Sequence, residues 1–277
     1  MTVSAKYRFM QYNVMHHAWG NETLLAVGLE KRTENMVKII TDAAPDVLFL
    51  AERHEEYANV GEDSVDMNAA LGSNYVFVQD RIENGTVVNR VPIVYNALTF
   101  RCVESGYIKL TEECSFEQSG NKRVVTWAIL EDITETESKG HRIAVFCTHW
   151  STNVQWNDPT VSYAAYKQQQ SNEMQALINS EKFEGLPIIA GGDYNATYNS
   201  VKKHECYVSL LEGAGLVDAS ASLATEENPY VYGDVDHFAV SGCTVESFTI
   251  LWNTTSYASD HNPIYSDMIF EFNKIGG

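Results

Sequence analysis

Apolar residues along the chain fall in short runs whose spacing changes from one region to the next. Tyr7-Arg-Phe-Met-Gln-Tyr-Asn-Val14 alternates apolar and polar positions and reads as a strand with Asn13 near its end. Glu30 to Ala43 spaces Met36, Ile39 and Ile40 for one face of a helix. Pro45-Asp-Val-Leu-Phe-Leu-Ala-Glu52 carries an unbroken apolar run at Val47 to Leu50, as a strand buried on both faces does, and it ends in a carboxylate. This strand, helix, strand opening points to an α/β fold.

The middle is different. Asn74 to Asp80, Val91 to Asn96, Arg101 to Lys109 and Val124 to Glu131 are short β-branched or aromatic runs separated by turn-rich segments such as Glu83-Asn-Gly-Thr86, and predict mostly antiparallel strands. Arg142 to His149 continues the series. Ser162 to Ser180 predicts a long polar helix, and Tyr207 to Gly213 a helix closed by glycine. Val235 to Val240, Glu246 to Leu251 and Ile264 to Phe272 are the late strands. No fixed-period repeat and no Pro/Gly/Ser linker divides the 277 residues, so one domain over 1–277 is expected.

The stretch Ile188-Ile-Ala-Gly-Gly-Asp-Tyr-Asn-Ala-Thr197 stands out. Three apolar residues form a short strand, two glycines follow, and Asp193 and Asn195 come next. Extended backbone sends positions i and i+2 to one side, so Asp193 and Asn195 are expected to face one site while Tyr194 packs away. Taken alone, the same residues also suit an Asx-type turn. The wider chain repeats the pattern. Asn13, Glu52, His149, Asp193 with Asn195, Asp236, and Asp260 with His261 each close or follow an apolar run. A sheet holds groups at its strand ends rigidly while the following loops open to solvent.

These motifs, in this order, resemble the endonuclease/exonuclease/phosphatase superfamily from Asn13 to His261. Met10-Gln-Tyr-Asn-Val14 is similar to the family's first strand, and Pro45 to Glu52 to its Pro-Asp-Val-x-x-Leu-Gln-Glu. Thr148-His149, Gly192-Asp-Tyr-Asn195, Val235-Asp-His-Phe-Ala-Val240 and Ser259-Asp-His-Asn-Pro263 resemble the later motifs. Departures are Ala51 where Gln is usual, His237 where an aromatic is usual, and Trp150 after Thr-His; none removes a catalytic group.

The resemblance implies a four-layered α/β/β/α sandwich, two packed mixed sheets with helices on both outer faces, and metal-dependent hydrolysis of a phosphate ester. Glu52 and Asp260, with Asn13 as a third, would hold the metal; hard oxygen donors without a cysteine cluster select Mg²⁺ or Mn²⁺ over zinc. Asp193 would orient or deprotonate the attacking water, with Asn195 holding it or a phosphate oxygen. His261 would donate to the phosphate, Asp236 would pair with His261, and His149 would supply a second donor. Arg123 is the phosphate-binding candidate, and a surface salt bridge explains it equally well. His16, His17, His54 and His237 read as rim or structural residues, and Trp19, Trp150, Trp156 and Tyr198 as core aromatics more readily than as a substrate rim.

Charge narrows the substrate. A net charge of −18 disfavours binding to nucleic acid through phosphate neutralisation and favours cation uptake. The expected substrate is therefore a small or lipid-linked phosphate ester, with a nuclease as the alternative of the same fold. A non-catalytic binding module would have lost a ligand or the base, and none is missing. No HExxH or similar spacing supports a zinc hydrolase. No run of eighteen apolar residues predicts a transmembrane helix. Five scattered cysteines, and a glycosylation sequon at Asn195-Ala-Thr197 that would block the site if used, give the cytoplasm as the expected location, or an exported one if a leader has been removed.

Overall fold

The computed structural model describes residues 2–15, 21–53, 67–78, 82–83, 86–87, 91–111, 123–151, 163–196, 201–223, 235–252, 254 and 257–274. His16, His17, Trp19, His54, Trp156 and Tyr198 lie outside them.

In chain order the first half comprises β1 (Thr2–Asn13), α1 (Glu22–Val27), α2 (Leu29–Ala43), β2 (Val47–Ala51), α3 (Met67–Leu71), β3 (Tyr75–Phe77), β4 (Ile82–Glu83), β5 (Thr86–Val87), β6 (Ile93–Asn96) and β7 (Phe100–Lys109). The second half comprises β8 (Val124–Asp132), β9 (Arg142–His149), α4 (Tyr163–Ile178), β10 (Ile188–Asp193), α5 (Val201–Ala214), β11 (Val217–Asp218), β12 (Asp236–Ser241), β13 (Thr244–Ile250) and β14 (Ile264–Asn273).

Two six-stranded sheets result, in the orders β13-β14-β1-β2-β6-β3 and β11-β12-β10-β9-β8-β7, and β4 pairs with β5 as a separate small ribbon. Each large sheet is mixed. One parallel pair, β1 with β2 or β9 with β10, sits inside antiparallel neighbours.

Strand parity builds the layers. Phe9, Val47, Phe49, Val145, Cys147, Ile189 and Phe238 point into one core between the sheets. Their strand neighbours point outward. Met10, Tyr12, Leu48 and Leu50 pack beneath Met36, Ile39 and Ile40 of α2. On the other side Phe146, Ile188 and Ala190 pack beneath Met174 and Ile178 of α4 and Tyr207 and Leu210 of α5. Helices thus cover both outer faces and leave both sheets buried, the four-layered α/β/β/α sandwich expected.

Several elements run further than the periodicity predicts. β1 starts at Thr2, the short helix α1 precedes α2, and α5 begins at Val201. β10 continues through Gly191 and Gly192 to Asp193. A Cβ on Gly191 would lie 2.4 Å from the Phe49 ring of the opposite sheet, and one on Gly192 would lie 2.5 Å from the Thr148 carbonyl. Gly191 therefore lets β10 approach β2 of the opposite sheet closely where Asp193 emerges, and Gly192 lets it lie close against its own neighbour β9. No helix among the described residues is long and apolar enough to cross a membrane.

Candidate active site

One end of the sandwich collects the polar side chains. On each strand that reaches it, parity directs the inward positions nearest that end to the gap between the sheets: Gln11 and Asn13 closing β1, His149 closing β9, Asp193 closing β10 and Asp236 opening β12. Register aligns them, because Asp193 lies opposite His149 in the parallel pair and opposite Asp236 in the antiparallel pair. Glu52 follows β2 with φ +56°, a left-handed conformation uncommon for a glutamate, and this turns it into the same gap.

Asp193 is the hub. Its Oδ1 accepts the Asn195 N–H at 2.9 Å. Its Oδ2 accepts Asn13 Nδ2–H at 3.0 Å, with His149 Nε2 at 3.4 Å and His261 Nε2 at 3.9 Å. Asn13 Nδ2 also donates to Glu52 Oε1 at 3.1 Å, and His149 Nε2 stands 3.9 Å from that oxygen. On the far side His261 Nδ1 is 2.6 Å from Asp236 Oδ2, and Gln11 Nε2 donates to Asp236 Oδ1 at 3.2 Å.

Burial sets the protonation. It pushes the Asp193 carboxyl up to about 6, and the nearby Asp236 charge adds to the rise against the opposing effect of His261. For His261 burial favours the neutral ring, but the charge and hydrogen bond of Asp236, with Asp193 behind them, win and raise it well above its ordinary value. The site thus pairs a carboxylate that gives up its proton reluctantly with an imidazolium held by a second carboxylate.

The structure rearranges some expected roles. Asn195 sits at φ +50°, so the chain leaves the extended path after Asp193, and Asn195 Nδ2 donates to the Trp150 carbonyl at 2.9 Å. The alternation argument holds for Tyr194, buried against Trp150 and Tyr207, but not for Asn195. Asn13 presents its amide nitrogen to the two carboxylates while its oxygen accepts the Met15 N–H at 3.0 Å, so it braces the carboxylates. Arg123 Nη1 reaches the His149 carbonyl at 3.5 Å, at the edge of the site. Trp150 is buried in the core beneath α4 and α5, not on a rim.

Two groups of ligand atoms, Glu52–His149–Asp193 and Asp193–Asp236–His261, each lie within 4.8 Å of one another; Asp260 belongs to neither and is exposed beside His261. The donors fit a hard divalent cation. Glu52 keeps about a third of its side chain open to solvent and Asp260 is exposed, which suits an ion that retains water, while the buried Asp193 charge gains from a cation nearby.

The profile of the Endonuclease/Exonuclease/phosphatase family matches residues 10–261. The chain belongs to this family. Its members are hydrolytic phosphoesterases and nucleases that generally depend on a divalent metal. Comparison with curated protein sequences returns no match. Among solved structures of the family fold, a mannosyl-6-phosphatase of Bacteroides thetaiotaomicron is similar at 19% identity and TM-score 0.70, covering 95% of this chain and 100% of that one. The human Nocturnin catalytic domain with bound sulfate is similar at 21% and 0.67, covering 97% and 96%. TDP2 of D. rerio, complexed with a single-strand DNA product, is similar at 18% and 0.65, covering 95% and 99%. At these identities the likeness is one of fold.

Two site residues escaped the sequence reading. Gln11 precedes Asn13 by two positions on β1, and that parity was the available signal. Arg32 of α2 is buried and donates to the carbonyls of Val14, Met15 and Ala258, tying the segment after Asn13 to the one before Asp260. Helical periodicity gives no hint of it, because a buried arginine interrupts an apolar face.

Proposed function

We propose that this family member hydrolyses a small or lipid-linked phosphate ester with Mg²⁺ or Mn²⁺. The observation that carries the reading is the pairing across one gap of Asp193, a carboxylate raised to about 6, with His261, an imidazolium backed by Asp236. A water against Asp193 Oδ2 would meet a base suited to neutral pH. His261 Nε2 would donate to a phosphoryl oxygen as negative charge builds there.

Glu52 and Asp260 would hold the cation, and Asn13 would keep the Glu52 and Asp193 carboxylates apart by donating to both. When bound, the cation supplies Lewis-acid polarisation of the phosphoryl oxygen and charge stabilisation for the leaving oxygen. His149 would add a donor beside Glu52 and Asp193. Arg123 would bring a fixed positive charge to the phosphate from the edge, and Asn195 would orient the nucleophile through the backbone N–H it gives Asp193. Asp236 acts through His261, fixing its ring with Nδ1 inward and Nε2 toward the substrate.

The net charge of −18 supports a small ester over a nucleic acid, whereas the similar structures include both a mannosyl-6-phosphatase and a protein complexed with DNA. A panel of sugar phosphates, phospholipids and supercoiled plasmid, each with Mg²⁺ and with Mn²⁺, tests this directly. Turnover of a small or lipid ester at enzyme levels that leave the plasmid intact is expected. Plasmid nicking at lower enzyme than any small ester requires would overturn the substrate assignment.

A further inference from the structure

Behind the catalytic edge, on the face of the sheet covered by α4 and α5, two basic side chains reach the turn that follows Asp193. The Asn195 and Ala196 carbonyls point away from the gap into this layer, where an unpaired carbonyl is costly. Lys167 of α4, 1% exposed, donates its Nζ proton to the Asn195 carbonyl. His237 of β12, 2% exposed, places Nε2 at 2.9 Å from the Ala196 carbonyl and Nδ1 at 3.1 Å from Asp218 Oδ2. A carbonyl only accepts, so Nε2 carries a proton. Asp218 is in turn fixed by the Tyr207 hydroxyl at 2.8 Å, and by the Ser220 N–H at 2.8 Å and the Ser220 hydroxyl.

Strand parity makes the link direct. Asp236 and His237 are consecutive on β12 and face opposite sides of the sheet, so one strand end holds His261 in front and the 193–196 turn behind. Well-packed apolar residues often stabilise an interior as much as a buried ion pair does, so stability alone gives little reason for charged groups here. Hydrogen bonds of fixed direction to two successive carbonyls do fix a backbone conformation, and Asn195 lies at φ +50°.

We infer that Lys167 and the His237–Asp218 pair are positioning residues that hold the turn from Asp193 to Ala196, with Asn195 in its left-handed conformation, and with it the geometry of Asp193 toward substrate. The inference rests on the phosphoesterase reading for its catalytic consequence and on geometry alone for the clamp. His237→Phe keeps the ring that stacks on Tyr207 at 4.6 Å but removes both donors. His237→Gln keeps a donor near the position of Nε2. Lys167→Met keeps the length of the stem.

The test compares the full-length protein with these three variants by two readouts. The first is amide hydrogen exchange, which needs no substrate. His237→Phe and Lys167→Met are expected to speed exchange at Tyr194 and Asn195 by about tenfold or more while residues 188–192 of β10 keep their protection, and His237→Gln is expected to restore it. The second is turnover of bis(p-nitrophenyl) phosphate with Mn²⁺. There kcat should fall about 10- to 100-fold with KM within about threefold, and His237→Gln should recover most of kcat. Unchanged exchange at 194–195, or exchange rising equally along β10 and β12, overturns the clamp. Local loosening with wild-type kcat overturns its catalytic consequence. If the wild type turns over no phosphate ester, the phosphoesterase reading fails and the exchange result alone decides the clamp.

Discussion

At the scale of single residues, Asp193 and His261 carry the titrating groups of the candidate site. Folding raises the Asp193 carboxyl from 3.8 to about 6, so between these values the folded state binds more protons than the unfolded state. This contribution to metal-free stability falls as pH rises through that window and is constant above it. Asp193→Asn removes the titration. Whatever its offset, the stability difference between variant and wild type should move in the variant's favour by on the order of 2 kcal/mol from pH 4 to pH 7, measured by urea unfolding in chelator. A flat difference would contradict the burial argument. His261 titrates above its ordinary value, and its donor form is lost as pH rises through the folded pKa. Asp236→Asn should therefore move the alkaline limb of kcat/KM to lower pH and reduce kcat by about 10- to 100-fold. An unmoved limb would separate Asp236 from His261.

Elements explain why these residues meet. Asn13, Glu52, His149, Asp193, Asn195 and Asp236 each sit at, or within two positions of, a strand end, and a strand end is readable where an apolar run stops. That is why Asn13, Glu52, His149, Asp193 and Asp236 could be marked in the sequence as candidates for one end of a sheet, while their roles came from the family resemblance. The period-two rule does not reach Asn195, because it applies only while the backbone stays extended, and here it turns left-handed one residue after Tyr194. Asp260 follows a loop, not a strand, so periodicity could not set its direction. The clamp formed by Lys167 was invisible for a related reason: it joins a helix to a turn by a bond to backbone, which leaves no pattern in either segment. The close approach of the sheets is likewise hidden in Gly191, one of two glycines that resemble a turn. Gly191→Ala would drive a Cβ into Phe49, costing about 1–3 kcal/mol in thermal unfolding, and Phe49→Leu in the same chain should recover part of the loss. Additive losses would show that the contact does not govern the approach.

For the whole molecule the two-sheet sandwich follows from the sequence because unbroken apolar runs such as Val47–Leu50 demand cover on both faces. Net charge acts at this scale too. At −18 the protein should elute from heparin at low salt without retention, and retention would reveal a basic surface that the total conceals. The central claim is that this end of the sandwich is a divalent-cation-dependent phosphoesterase site anchored by Glu52. It is tested most directly by the initial rate of bis(p-nitrophenyl) phosphate hydrolysis as Mg²⁺ or Mn²⁺ is titrated into chelator-stripped protein, wild type beside Glu52→Gln. The account predicts no turnover without metal, saturable recovery in the wild type, and at least about tenfold more metal for half-recovery in the variant. Full activity in chelator, or the same metal dependence in both proteins, would contradict it.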